Sequence, residues 1–298
     1  MKAIAGMAAG VAILALGGFI ARNFPNPYTN LTVTNLRGGA YWIEGGVSNT
    51  GFIVGDKGVI VIDAQMFSPT ARSAQAEIAK ITAKPITTII ITHSDPDHVN
   101  GLPTYPAGVE IIAQENAKRE MQEALDNPNR NPVSSPPETL RHYMPTHLIR
   151  DRESLMINGV QLVLIHTGPA HTDGDLIVFL PDLKLVYAAD ILSPEIGLYP
   201  GIHLEKHGSS LGWIEFAKAM LALDADTFVS GHGAPMTRAE LKARIDVTVQ
   251  RRDEIKALVD QHKSLKDIKD ILNDKKLPGI ASRFPTFVET TYQELTRD

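Results

Sequence analysis

The 298-residue sequence contains no cysteine. Disulfides, thiolate nucleophiles, cysteine-ligated zinc and iron–sulfur clusters are thereby excluded, as is a lipidated N-terminal cysteine. Any metal must be held by histidine and carboxylate. Positive charge is also in short supply: 29 basic residues stand against 34 acidic ones, a net of −5. That balance argues against nucleic acid as the main partner, because duplex binding needs a basic surface. No repeat of roughly 20–50 residues is present. What is present is a globular composition, 43% apolar and 21% charged, together with ten histidines.

The N-terminal segment stands apart. Lys2 is followed by nineteen uncharged residues, Ala3 to Ala21, rich in alanine and glycine, before Arg22. A charged start and an apolar core read as an export signal, with Ala15-Leu16-Gly17 as a small-x-small cleavage site. Uncleaved, the run is long enough to span a bilayer. Residues 1–22 are therefore expected to be a signal peptide or membrane anchor, and the protein is expected to be exported, periplasmic or secreted, or held at the membrane by that anchor. Residues 23–30 read as linker and 31–298 as the folded domain, C-terminal helices included.

Through that domain, β-branched runs alternate with amphipathic stretches. Strands are predicted at 31–36, 40–44, 51–54, 58–63, 86–92, 109–113, 154–157, 160–165, 176–180, 185–189 and 227–230. Helices are predicted at 70–82, 114–125, 211–223, from 237 to about 262, and 264–273. Thr237 and Glu240 form a capping box for the long one. This order implies mixed sheets with helices outside, an α/β (α+β) class. In such sheets ligands collect at the carboxyl ends of strands. Acids and histidines follow the apolar runs at those places: Asp63, His93, His166, Asp190 and His232.

The densest cluster is His93-Ser94-Asp95-Pro96-Asp97-His98. A strand end can aim His93 and Asp95 the same way, and two metals about 3.5–4 Å apart could each draw ligands from so compact a loop. Helix capping competes as an explanation, with Asp95 as N-cap, Pro96 at N1 and Asp97 a first-turn acid. Capping leaves the two histidines unexplained. His171 in a glycine-flanked turn, Asp190 at a strand end and His232 between two glycines extend the metal-ligand reading, although Asp190 could instead cap the helix that follows. No serine elbow offers a side-chain nucleophile.

On these residues the chain resembles the metallo-β-lactamase superfamily of metal-dependent hydrolases, from about Leu31 to Ala234. The family's first motif is His-x-His-x-Asp-His, and here it reads His93-x-Asp95-x-Asp97-His98. His171, Asp190 and His232 match the later family ligands in order. The resemblance implies a four-layer αβ/βα metallo-β-lactamase sandwich and two divalent metal ions, zinc first, with manganese or iron as the alternatives. One metal would take His93, Asp95 and His171, and the other Asp97, His98 and His232. Asp190 would bridge them or complete the second site. A metal-bound hydroxide would cleave a small-molecule amide or ester, a β-lactam, lactone or similar, with Asp97 as the catalytic residue that orients the nucleophile or handles its proton. A mononuclear iron redox enzyme of the same superfamily, or a non-catalytic metal-binding protein, is the alternative.

Asp95 departs from the family pattern. Counting two divalent cations against three carboxylates and one hydroxide leaves the filled site neutral, whereas a histidine in its place would leave it one unit positive. A less positive site is expected to make water less acidic there and to tilt metal preference towards harder ions. Behind the ligands, Asp63 is expected to prop the metal loop, with His166 and Asp173 as further supporting residues. Tyr199, His203 and His207, in the loop 193–209 that also carries Lys206, are the candidate substrate contacts. The breaker-rich loop 126–137 is a candidate opposite wall.

Overall fold

In the computed structural model, residues 30–128, 136–193, 198–276 and 284–297 are described. The expected leader, most of the linker and most of the loop 126–137 lie outside them. Seven strands form the first sheet: β1 (Thr32–Arg37), β2 (Ala40–Glu44), β3 (Thr50–Val54), β4 (Val59–Ile62), β5 (Ile86–Ile90), β6 (Glu110–Gln114) and β7 (His147–Ile149), hydrogen-bonded in chain order. The second sheet contains β8 (Arg152–Ile157), β9 (Val160–Ile165), β10 (Ile177–Leu180), β11 (Leu185–Ala189), β12 (Thr227–Ser230) and β13 (Met236–Thr237), in the order β13-β12-β11-β10-β9-β8. The steps β4–β5, β5–β6, β6–β7 and β11–β12 are parallel.

The helices are α1 (Ser68–Ile81), the single turn α2 (Pro96–Val99), α3 (Glu115–Asp126), α4 (Ser210–Leu221), α5 (Arg238–Asp260), α6 (Leu265–Ile271) and α7 (Phe287–Thr296).

Alternation along the strands sorts their side chains into layers. Val59 and Val61 face one side of β4, with Ile89, Ile91, Ile111 and Ala113, and pack under Ala71, Ala74 and Ile78 of α1 and Met121 of α3. Ile60, Ile62, Ile90 and Ile112 face the other side, against Leu162, Leu164, Val178, Leu185 and Tyr187 of the second sheet. Val163, Ile165, Phe179, Val186 and Phe228 then point outward, to Trp213 and Phe216 of α4, Leu241 and Ile245 of α5, and Phe287 of α7. Three apolar layers thus separate helix, sheet, sheet and helix, as a four-layer αβ/βα sandwich requires.

The predicted elements agree with the structure to within about two residues at most ends; 86–92 and 58–63 each extend into the loops that carry His93 and Asp63. The capping box at Thr237 and Glu240 is formed. Two short strands, β7 and β13, and helix α7 were not predicted. β7 and β13 are too short, at three and two residues, to show a period. The start of α7 carries a capping box, Thr286 with Glu289, of the kind recognised at α5. Among the described residues no helix is long and apolar enough to cross a membrane.

The two sheets meet closely where β3 passes β11. Tyr187 on β11 donates its hydroxyl to the Tyr41 carbonyl at 2.8 Å. Its ring lies over Gly51, where an added Cβ would sit 2.5 Å from Tyr187 Cε1. Gly51→Ala should therefore overpack the inter-sheet layer and destabilise the protein by about 1–3 kcal/mol. Denaturant unfolding checks this, and Tyr187→Leu should remove most of the penalty; equal penalties in both backgrounds would contradict the contact.

Candidate metal centre

The carboxyl ends of β4, β5, β11 and β12 lie at one edge of the facing sheets, and the loops leaving them carry the chemistry. Asp63 directly follows β4 with φ 64°, a left-handed conformation. Its Oδ1 accepts from the Thr92 amide at 2.9 Å and its Oδ2 from the Thr92 hydroxyl at 2.7 Å. Oδ2 also lies 2.8 Å from His98 Nδ1. One carboxylate thus ties the end of β4 to the loop after β5 and turns the His98 Nε2 atom towards the centre.

Asp95 occupies the backbone position of a helix N-cap, with Pro96 first in α2, yet its side chain makes no cap hydrogen bond. It points into the cluster instead. Asp95 Oδ2 lies 3.2 Å from His171 Nε2 and 3.6 Å from His93 Nε2, and Oδ1 lies 2.6 Å from Lys206 Nζ. Asp97 Oδ2 lies 3.2 Å from His232 Nε2 and 3.4 Å from His98 Nε2. Asp190 reaches both halves: Oδ2 is 3.2 Å from His232 Nε2 and 3.9 Å from both His93 Nε2 and His171 Nε2, and Oδ1 is 3.4 Å from His98 Nε2. It opens the turn Asp190–Leu192 rather than capping it, and Ala189 before it takes an unusual φ of 40°.

Two groups result among the described residues: His93, Asp95, His171 and Asp190; and Asp97, His98, Asp190 and His232. In each, one ligand atom per residue lies within 4.8 Å of all the others. Asp190 belongs to both. The buried atoms His93 Nε2, His98 Nε2 and Asp190 Oδ1 make no hydrogen bond with any protein group. A buried polar atom left in that state is costly unless something else meets it. Imidazole nitrogens and carboxylate oxygens facing a common space fit divalent cations.

The electrostatics follow from the same contacts. Burial opposes ionisation of Asp95, but Lys206 foremost, then His203 and His93, hold its carboxyl well below the usual carboxylate value. Asp97 and Asp190 are lowered against burial in the same way, Asp97 by His98 and a bond from His232, Asp190 by His232 and His98. Burial alone would lower His171 and His232. The carboxylates outweigh it, Asp95 raising His171 to about 9 and Asp190 raising His232 to about 10.

The surrounding loops are strapped by groups the sequence did not advertise. Asn49 donates from its side chain to the Ser230 and Gly233 carbonyls, at 3.1 and 2.9 Å, and from its amide to Gly231 at 2.7 Å, steadying the turn that carries His232. The Gly201 carbonyl lies 2.9 Å from His171 Nδ1, so the other ring nitrogen faces Asp95. The His203 ring lies tilted against that of His171, centroids 4.4 Å apart, and Phe284 stacks on His203 at 6.1 Å. His203 therefore borders the cluster.

Tyr199 and His207 do not come to it. Tyr199 stacks on Phe287 and its hydroxyl accepts from Arg251 Nε at 2.8 Å, because its ring completes the layer under α5 and α7. His207 is exposed and left-handed, closing the turn Leu204–Lys206. Asp173 pairs with Arg119 of α3 at 2.6 Å rather than with His171. His166 Nδ1 meets the Asp175 carbonyl at 2.8 Å, and Asp175 in turn accepts from the Thr172 amide and hydroxyl. Both act on the shape of the turn bearing His171.

Two outcomes are expected. An added Cβ at Gly231 would lie 2.0 Å from Asp190 Oδ1. Gly231→Ala should displace that carboxylate and cut zinc uptake at least about tenfold, as measured by elemental analysis. The second concerns pH. The folded values of His171 and His232, about 9 and about 10, exceed the unfolded value of 6.5. Their stabilisation is complete below that value and is lost as the pH rises through 9 and 10. The Tm of chelator-treated protein should fall from pH 6.5 to 10. Added zinc should stabilise more over the same interval, because imidazole binds metal only when deprotonated. A flat profile without metal would contradict these contacts.

A family model described as the metallo-beta-lactamase superfamily matches residues 43–232, more than half of the chain. The chain is 28% identical over 222 residues to the 2,4-dinitroanisole O-demethylase subunit alpha of Nocardioides sp. (strain JS1661), covering 73% of this chain and 62% of that protein. Its fold is similar to a stereoselective inverting sec-alkylsulfatase from Pseudomonas sp., with TM-score 0.69, 20% identity, and coverage of 89% of this chain and 50% of that one. It is also similar to DIM-1 metallo-beta-lactamase, with TM-score 0.60, 14% identity, and coverage of 74% and 97%. The chain spans less than two thirds of the length of the demethylase subunit and of the sulfatase. With its sandwich fold, its variant His93-x-Asp95-x-Asp97-His98 motif and the ligand-bearing loops at one sheet edge, the chain belongs to the metallo-β-lactamase superfamily.

Proposed function

We propose that the protein is a metal-dependent hydrolase that cleaves an amide or ester bond of a small molecule, exported from the cytoplasm by residues 1–22 as a cleaved signal or an anchor. The observation that carries the reading is the convergence of seven side chains from four loops, with buried nitrogen and oxygen atoms that no protein group satisfies. Their all-nitrogen-and-oxygen character, two histidines and two carboxylates in each half, suits two divalent ions, zinc first, with manganese or iron as the alternatives. Divalent ions held there would supply hydroxide near neutral pH and polarise the scissile group. The names of an O-demethylase and an alkylsulfatase among the relatives support substrates joined through oxygen, so esters are favoured over amides.

The chain's own residues divide the remaining work. Asp190 stands between the two halves and holds them in register. Asp97, more exposed than Asp95 or Asp190, has its Oδ2 beside His232 Nε2 and is the carboxylate that orients the attacking water and takes its proton. His203 and Phe284 border the His171 side, one with a polar edge and one with an exposed apolar face, and would contact the substrate there.

Elemental analysis of the purified protein, paired with a panel of nitrocefin, lactones, phosphodiesters, alkyl sulfates and a nitroaryl methyl ether, tests the reading. His171→Ala or Asp190→Ala should remove metal and turnover together, lowering kcat/KM by about a thousandfold or more. Turnover that persists in either variant would place the reaction elsewhere.

A further inference from the structure

Lys206 ends the turn Leu204–Lys206, 111 residues beyond Asp95 in the chain. Its Nζ lies 2.6 Å from Asp95 Oδ1 and 3.1 Å from the Ser94 hydroxyl. Both partners are largely shielded, the side chains 19% and 9% exposed. The backbone that carries Lys206 is tied to its surroundings: its amide donates to the His203 carbonyl at 2.9 Å, its carbonyl accepts from Asp173 at 3.0 Å, and the His203 amide donates to the His171 carbonyl at 2.8 Å. The lysine is therefore held by the same turn that places His171. Asp97 and Asp190 face histidines, and among the described residues neither has a lysine or arginine ion pair.

We propose that Lys206 is the compensating charge for Asp95, so that the two form one neutral unit at the position where the family pattern has a neutral histidine. The count of ligands alone makes the filled site neutral; the ammonium beside Asp95 returns the missing positive unit. It also engages Oδ1 and leaves Oδ2 as the oxygen turned towards His93, His171 and Asp190. Lys206 is a positioning residue here, acting through Asp95. The part that concerns metal affinity rests on the metal-centre reading above, whereas the pairing itself is testable on metal-free protein.

The two roles a buried lysine could play differ in sign. A lysine that merely braces the fold would, when removed, lower stability and weaken metal binding together. A compensating lysine repels the cation its partner attracts, so its removal destabilises the metal-free protein yet tightens metal binding. The test is a double-mutant cycle of Asp95→His and Lys206→Met. It is read by zinc competition against a chromophoric chelator and by thermal unfolding in EDTA.

Expected zinc affinities rise in the order Asp95→His, then wild type and the double variant within about threefold of each other, then Lys206→Met, with steps of about tenfold or more between ranks. In EDTA, Lys206→Met should lower Tm by roughly several degrees when Asp95 is present, and leave it unchanged or raised in the Asp95→His background. Lys206→Arg should keep the wild-type values, and Lys206→Gln should reproduce the Met variant.

Equal Tm shifts in both backgrounds, a Lys206→Met protein that binds zinc no tighter than wild type, or a double variant that stays at the Asp95→His level would each overturn the inference. A wild-type protein that takes up no zinc would overturn the metal-centre reading instead, and the EDTA cycle would then decide the pairing by itself.

Discussion

The Asp190 carboxylate joins the two halves of the centre, and much of the architecture serves to bring it there. Its two oxygens face histidines from three different loops. A carboxylate can sit buried in that way only because the imidazoles around it supply compensating charge. The approach is tight. Gly231 passes so close that no side chain fits between it and Asp190 Oδ1, and Ala189 accepts an uncommon backbone angle to release Asp190 from β11 at the right place. Strain stored beside a cluster of this kind persists only when the surrounding structure over-determines it.

That surrounding structure is the docking of two sheets. Each sheet contributes loops to one edge, so neither half of the cluster exists until the apolar layer between them has formed. His93, Asp95, Asp97 and His98 arrive on the loop after β5 of the first sheet; Asp190 and His232 arrive after β11 and β12 of the second. Bonds such as Asn49 to Gly231 and Leu176 to Thr92 cross directly between the two sets of loops. Packing energy from the core therefore holds together groups that would otherwise spread apart, and the polar centre is a consequence of the apolar one.

The departure at Asp95 shows how a local change is met from a distance. Counted among its neighbours in sequence, Asp95 adds a negative charge to an already acidic motif. In the folded molecule it faces Lys206, carried by the turn that also places His171. Charge balance in a buried site is a property of the space rather than of the motif, because Coulomb interactions there depend on separation through a poorly screening interior. Tyr199 makes the complementary point: its loop passes near the site, but its ring satisfies the apolar layer beneath α5 and α7, and packing decides its direction.

The sequence by itself determined the alternation of strands and helices, the placing of helices outside mixed sheets, and the types and order of the histidines and aspartates that could hold metal. Short apolar runs such as Val59–Ile62 and the capping box at Thr237 state those features locally, and the variant His93–His98 motif is contiguous. Short edge strands β7 and β13 were illegible because two or three residues carry no period. The partners of His98, of Asp95 and of the turn that carries His232, namely Asp63, Lys206 and Asn49, lie 35, 111 and more than 180 residues away in the chain. Of these, Asp63 was legible through its place after a strand, while Lys206 and Asn49 became visible only when the sheets docked. Tertiary structure alone decided which carboxylate is shared, which is charge-paired and which stays more exposed, since those distinctions arise from distances and burial that no local spacing encodes.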